Sequence, residues 1–314
     1  MTARFALALH GGAGTIAPGN AADEAPYRTA LLEALGAGNA VLERGGSALD
    51  AVVASVVSLE DCPLFNAGRG AVFTSEARNE LDAGVMDGGT LAAGAVAGVR
   101  TIRNPVLAAL EVLRDGRSVI LGRGGAEAFA RERGLAMVDP SYFSTPQRLA
   151  QLRAVQATAA DRAVVDHDAA AGTDRQPSGT VGAVALDAHG HLAAATSTGG
   201  LTNKMPGRIS DSSQIGAGVY ANDATCAVSC TGTGERFIRA CVAYDIHARM
   251  HYLGRGLAAA ASESLVHGLE PLGGKGGVIA VGRDGSLAMP FNSTGMYRAW
   301  VRGGEAPRAA IFAA

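Results

Sequence analysis

The order of extended and helical segments is the strongest constraint on how this 314-residue chain folds. Strand-like runs cluster toward both ends, helical periodicity is grouped between them, and strand and helix do not alternate regularly. That order predicts two antiparallel sheets packed together and covered by helices, rather than a sheet of repeated βαβ units. A first strand covers about 4 to 10 and ends in the sharp turn of "HGGAG". After a polar loop to Pro26, "YRTALLEALGAGNAVLER" has helical spacing and stops at Gly45-Gly46, and Ser47 with Asp50 resembles a capping box opening a second helix to about Glu60. Asp87-Gly88 marks a hairpin turn, and Asn104-Pro105 caps a helix that Gly116 ends. Further helices are predicted near 124 to 133 and from Thr145-Pro146 to about Ala160.

The stretch 161 to 179, "DRAVVDHDAAAGTDRQPSG", has little periodicity and many turn formers, which predicts a flexible linker. Beyond it, "TVGAVALD" and "HLAAATS" flank a His189-Gly190 turn as a buried hairpin. Extended segments at about 216 to 221 and 225 to 230 precede one helix from Gly234 to Tyr252 and another from Leu257 to about His267. A last hairpin turns at Asp284-Gly285. Sequential strand pairing puts Thr180 at the beginning of a central strand.

A hydrophobic content of 48% against 18% charged residues is globular composition and excludes disorder. There is no apolar run of about 20 residues, and the apolar part of "MTARFALALHGG" is too short for a secretory signal, so a cytoplasmic protein is expected. The 27 basic and 29 acidic side chains form no long single-sign block, which argues against a nucleic-acid groove or an anionic membrane surface. Cys62, Cys226, Cys230 and Cys241 lack zinc-site spacing and read as reduced thiols, mostly in the core.

Several motifs carry less than they promise. "HGGAG" invites comparison with a lipase oxyanion loop, but no G-x-S-x-G elbow exists; "GLEPLGGKGG" lacks the lysine and hydroxyl spacing of a phosphate loop. His247 and His251, four apart on a helix, have no third ligand for a metal. Thr180 in "SGTVGAVALD" carries more. A threonine hydroxyl is a poor nucleophile, and scission before Thr180 would free an α-amine with a pKa of about 7.7 to 8 to act as its base. Thr196, Ser197 and Thr198, with Thr231, Gly232, Thr233 and Gly234, end two strands that would gather hydroxyls and N–H groups around it, as a developing oxyanion requires. Arg208 and Asp211, three apart in a glycine- and serine-rich loop, could read an α-amino acid head group or form a surface ion pair.

Taken in order, "LHGGAGTI", "SLEDCPLFNAGRGAVFT", "GTVGAVALD", "ATSTGGLTNKMPGR", "DSSQIGAGVYAND" and "CTGTGE" resemble the plant-type asparaginase and isoaspartyl peptidase family of N-terminal nucleophile hydrolases across essentially the whole chain. The resemblance implies an α+β fold, a four-layer αββα sandwich, in one domain of residues 1–314 that cleaves itself between Gly179 and Thr180 into an α chain (1–179) and a β chain (180–314). It implies Thr180 as nucleophile, Thr198 beside it, Thr231 and Gly232 at the oxyanion, and Asn66 organising the cleavage region. Arg208 would take the substrate α-carboxylate and Asp211 the α-ammonium, with the Gly234 backbone lining the pocket. Backbone carbonyls of Leu59, Glu60, Cys62, Phe65, Ala67 and Arg69 would hold a structural sodium ion, with no organic cofactor. The substrates implied are L-asparagine and β-aspartyl dipeptides, and the assembly a dimer of processed αβ units.

Ser178 stands where the family often has histidine or methionine, "GRISDSS" where "GRVGDSP" is more frequent, and Arg69 where an apolar residue is common. A mainly asparagine-directed enzyme and a glycosylasparaginase-like enzyme are alternatives, although Gly179 replaces the aspartate that usually precedes the latter's nucleophile. A different class again is an uncleaved binding or scaffold protein.

Overall fold

The computed structural model describes residues 5–14, 16, 21–158 and 179–313. The fold is α+β, with two sheets and helices against both. An eight-stranded sheet has the order β12-β11-β1-β5-β6-β2-β3-β4, where β1 is Ala6–Gly14, β2 Leu81–Asp87, β3 Ala93–Val99, β4 Ile120–Gly122, β5 Val181–Leu186, β6 Leu192–Thr198, β11 Gly295–Arg302 and β12 Arg308–Ala310. A four-stranded sheet has the order β10-β9-β8-β7, from β7 (Val219–Ala221), β8 (Cys226–Gly232), β9 (Gly276–Gly282) and β10 (Leu287–Ala288). β5 lies between β1 and β6, so Thr180 does precede a central strand.

Side-chain parity along the strands separates two cores. Leu7 and Leu9 of β1, Ala183 and Ala185 of β5, and Ala193 and Ala195 of β6 belong to the core shared with α1 (Ala21–Glu43), α2 (Ala48–Asp61) and α3 (Pro105–Asp115). The intervening residues Ala6, Ala8, Val184, Leu186, Leu192 and Ala194 meet the small sheet through the face that carries Ala227, Ile279 and Val281. Alanines fill much of that inter-sheet layer, so the two backbones approach closely. The helices α7 (Val242–Leu253) and α8 (Leu257–Glu263) cover the small sheet's other side.

Local signals hold in several places. Ser47 caps α2, its hydroxyl accepting the Asp50 N–H at 3.1 Å and donating to the Asp50 carboxylate at 2.7 Å. Gly116 ends α3 with φ 68°, and the hairpin turns at Asp87-Gly88, His189-Gly190 and Asp284-Gly285 are present. The helices α4 (Arg123–Glu132) and α5 (Pro146–Thr158) match the predicted pair closely.

Other expectations are corrected. β1 runs through "HGGAG" to Gly14 instead of turning, because a one-residue irregularity between His10 and Gly12 absorbs the glycines without breaking the ladder to β11. The helix α1 starts at Ala21 and keeps Pro26 within its first turns. The Asn104 side chain does not cap α3; its amide donates to Asp61 at 3.2 Å. β4 pairs parallel to β3, so the large sheet is mixed, not antiparallel. The single helix expected from Gly234 to Tyr252 is two, α6 (Gly234–Ala240) and α7, because Cys241 between them is left-handed at φ 47°. β11 and β12 have no counterpart among the expected strands. Of the thiols, Cys226 and Cys230 are buried, Cys62 is half-buried and Cys241 is exposed. Most of the expected linker, 161–178 including Ser178, lies outside the described residues.

Helix α3 sits directly on β3: a β-carbon on Gly94 would overlap the Ala109 carbonyl and the Leu113 amide, both backbone groups in a helix that cannot swing aside. Gly94→Ala should therefore cost about 1–3 kcal/mol of stability, read as a lower denaturant midpoint. An unchanged midpoint would contradict this packing.

Candidate active site

Residues of even number in β5 and β6 face the small sheet, and this parity puts Thr180, Thr196 and Thr198 between the sheets while Ser197 faces the helices. Thr180 is 8% exposed, so its hydroxyl is nearly enclosed yet at the edge of the layer. That hydroxyl donates to Thr198 Oγ1 at 3.0 Å, and the same oxygen accepts the Gly200 N–H at 3.0 Å. With two bonds accepted, the Thr198 hydroxyl keeps its own proton free to donate.

His10, the histidine of "HGGAG", holds Thr180 from the other side. Burial drives its pKa down to about 3, against the opposing pull of the Thr180 carbonyl, so the imidazole is neutral and has one donor and one acceptor. Since the Thr180 carbonyl can only accept, Nδ1–H is the donor, at 2.9 Å. Nε2 must then accept, and the Ser229 hydroxyl donates to it at 2.8 Å. Thr196 Oγ1 lies 2.7 Å from Ser229 Oγ, and its one proton is shared between that oxygen and the Gly218 carbonyl at 3.2 Å. A fully buried chain of donors thus runs from β6 and β8 through β1 and ends on the nucleophile candidate's own carbonyl.

Gly179 is equally constrained. Its N–H donates to the Gly11 carbonyl at 3.5 Å, and Gly12, at φ 116°, packs so tightly that a β-carbon there would overlap the Gly179 backbone. On the next residue of β1, the Ala13 N–H donates to Thr231 Oγ1 at 3.2 Å, leaving the Thr231 hydroxyl proton free. Gly232 follows at φ 146°. Thr231 and Gly232 thus reach the Gly179–Thr180 region through β1. Asn66 fixes the turn after Thr198: its amide donates to the Gly200 carbonyl at 2.8 Å and its carbonyl oxygen accepts the Val72 N–H at 2.9 Å.

Arg208, Asp211 and Gly234 come together. A β-carbon on Gly234 would stand 2.7 Å from Asp211 Oδ1 and 2.8 Å from Arg208 Nη2, so the bare backbone forms the floor where guanidinium and carboxylate converge. Burial raises the Asp211 pKa to about 7, with Arg208 opposing and Glu235 and Asp82 assisting, and Asp211 Oδ2 has no hydrogen-bond partner. Oδ1 is the oxygen that faces the Gly234 floor and the guanidinium, while Oδ2 is buried on the Gly218 side.

The loop of Leu59, Glu60, Cys62, Phe65, Ala67 and Arg69 fits a carbonyl cage in part. The Leu59, Glu60 and Cys62 carbonyls accept the N–H groups of Cys62, Arg69 and Phe65 at 3.3, 2.7 and 3.5 Å, so each keeps one lone pair for an ion. No group of three or more His, Cys, Asp or Glu suited to a metal occurs among the described residues. His247 and His251 stack at 5.4 Å, and His247 pairs with Thr225 Oγ1 at 2.6 Å rather than with any such cluster.

Sequence reasoning missed three side chains. His10 gave no signal because Thr180 and Ser229 lie 170 and 219 residues away from it, and Ser229 none because its tie to His10 spans the same distance. Glu60 entered only for its carbonyl, yet its buried carboxyl accepts from Ser197 Oγ at 2.6 Å and the Val106 N–H at 3.0 Å, tying the loop to the strand that carries Thr198. Burial pushes its pKa up to about 8, against its hydrogen bonds.

A family model described as Asparaginase matches residues 3–311. The chain is 53% identical over 308 residues to an isoaspartyl peptidase of Salmonella typhimurium, covering 98% of both chains. It is also 53% identical to an isoaspartyl peptidase of Escherichia coli, covering 98% of this chain and 95% of the relative. A probable isoaspartyl peptidase/L-asparaginase 2 of Arabidopsis thaliana is 40% identical over 312 residues, covering 94% of each.

The Glu60 carboxyl binds its proton more tightly folded than unfolded. Its contribution to stability is complete below the unfolded pKa near 4.5 and is lost as pH rises toward about 8. Glu60→Gln keeps an acceptor without the ionisation, so its unfolding midpoint relative to the unchanged protein should improve steadily from pH 5 to pH 8. A pH-independent difference would contradict a protonated Glu60.

Proposed function

We propose, from a chain that belongs to the isoaspartyl peptidase/L-asparaginase family of N-terminal nucleophile hydrolases, that this protein hydrolyses L-asparagine and removes N-terminal β-aspartyl residues from dipeptides through a Thr180 acyl-enzyme. The observation that carries this reading is the Thr180–Thr198 hydroxyl contact at the head of a central strand, with Gly179 wedged against β1 behind it. The proposal includes scission between Gly179 and Thr180 into chains 1–179 and 180–314, the four-layer αββα sandwich, and a dimer of processed units. Support for the layering comes from helices packed on the outer side of each of two facing sheets.

In the proposed mechanism the substrate's α-carboxylate meets Arg208 and its α-ammonium meets Asp211, whose Oδ1 faces the Gly234 floor. This fixes the side-chain carbonyl near Thr180. The freed Thr180 amine accepts the hydroxyl proton as the oxygen attacks, and the free proton of Thr231 with the Gly232 N–H answers the charge on the carbonyl oxygen. The amine returns its proton to the leaving group, which departs as ammonia or as the downstream amino acid. Water, activated by the same amine, then releases aspartate. Thr198 orients the nucleophile, and Asn66 holds the turn that orients Thr198. A sodium ion held by the carbonyls of Leu59, Glu60, Cys62, Phe65, Ala67 and Arg69 would order the loop bearing Asn66 and take no part in bond breaking.

Assays with both substrate types test this. The unchanged protein should hydrolyse them, and Thr180→Ala should reduce turnover by at least about a thousandfold; retained turnover in Thr180→Ala would sink the assignment. Because Asp211 must be ionised to hold an ammonium, KM for L-asparagine should rise as pH falls below about 7. A KM that is flat from pH 6 to pH 8 would contradict that role.

A further inference from the structure

Glu235, the first residue after Gly234 on α6, touches Arg208 and has no part in the mechanism above. Its Oε1 accepts from Arg208 Nε at 2.8 Å. The Arg208 side chain is 13% exposed and that of Glu235 46%, so the arginine is nearly enclosed and the glutamate forms its solvent-side wall.

A guanidinium offers a carboxylate two edges, a side edge through Nε and Nη2 and an end edge through Nη1 and Nη2. Here Glu235 covers the Nε corner of the side edge, while the Nη2 corner is turned to Gly234. The two Nη atoms extend toward different glycines: Nη2 lies 2.8 Å from the β-carbon position of Gly234, beside Asp211, and Nη1 lies 3.0 Å from that of Gly200, beside the buried Lys204 ammonium. Gly200 is the residue whose N–H bonds Thr198. A ligand carboxylate on the end edge is therefore held between Asp211 and the turn that carries the nucleophile's partner. On the side edge it would sit a full guanidinium width farther out, at the solvent face.

We propose that Glu235 is a positioning residue that closes the side edge of Arg208, so that the site accepts only an α-carboxylate presented end-on beside an α-ammonium. This rests on the head-group reading of Arg208 and Asp211. The glutamate is ionised, as this role requires. Partial burial pulls its pKa up, but the Arg208 hydrogen bond and charge outweigh burial and hold it below the usual glutamate value. Its charge also makes the pocket unfavourable to a ligand that carries a carboxylate without the neighbouring ammonium.

The test is steady-state kinetics with Glu235→Ala and Glu235→Gln, together with inhibition by L-aspartate and by its α-amide. Glu235→Ala should raise KM for L-asparagine about tenfold, the scale of one charge-assisted hydrogen bond, with kcat within about twofold and chain cleavage unchanged. Glu235→Gln, which keeps an acceptor oxygen, should recover most of the loss. The preference for L-aspartate over its α-amide should shrink in Glu235→Ala, because a mobile guanidinium no longer enforces one geometry. An unchanged KM overturns the proposal. So does a lower KM, which would make Glu235 a competitor for Arg208, or a fall in kcat and cleavage at constant KM, which would make it structural. If the unchanged protein neither turns over L-asparagine nor binds L-aspartate, the head-group reading fails and takes this inference with it; activity with an indifferent Glu235→Ala removes this inference alone.

Discussion

Pairing of β5 with β1 on one side and β6 on the other is the constraint on which everything at the site depends. The register Val181↔Ser197 and Gly182↔Thr196 sets Thr180 across from Thr198, and the register His10↔Gly182 brings His10 to the Thr180 carbonyl. Strand side chains have a period of two, so a slip of one residue would turn Thr198 toward the helices and bring Ser197 into its place. The 3.0 Å hydroxyl contact is thus a property of sheet pairing, not of a flexible loop. Rigid placement of this kind suits a nucleophile whose partner must lie within hydrogen-bond reach.

Polar groups in the two cores make that register costly to lose. Thr196, Ser229 and His10 are fully buried and satisfy one another in a single direction, and Ser197 is satisfied on the opposite face by Glu60. Any slip would strand several buried donors at about 1–3 kcal/mol each. Both networks converge on the few residues that follow or precede Thr180 and Thr198. The alanine-rich layer between the sheets lets β8 come close enough for Ser229 to reach His10. Structure and chemistry therefore share the same bonds: the hydroxyls that specify the sandwich also hold the head of β5.

Much of this was legible in the residue order. Helix stops at Gly45-Gly46 and Gly116, the Ser47 cap, and the hairpin enclosing Thr180 to Thr198 are local effects, written in a few adjacent residues. Arg208 and Asp211 were readable as a pair because they are close in sequence, but the role of Gly234 as their floor depends on a loop and a helix meeting. β11 escaped notice although "GMYRAWVR" carries aromatic and branched residues, because the strand it turns back to at Gly303-Gly304, β12, is only three residues long and its long partner, β1, is at the far end of the chain. The Cys241 break was hidden because cysteine carries no left-handed preference. His10 read as part of a turn, since its meaning lies entirely in Thr180 and Ser229.

The central claim is that the Thr180 hydroxyl works only when its own nitrogen is a free amine, and the masses of the denatured chains of the active protein test it most directly. The account predicts two fragments that divide between Gly179 and Thr180, the second beginning Thr-Val-Gly, with hydrolytic activity appearing in step with them. A chain that stays intact and nevertheless hydrolyses L-asparagine at its full rate would contradict it.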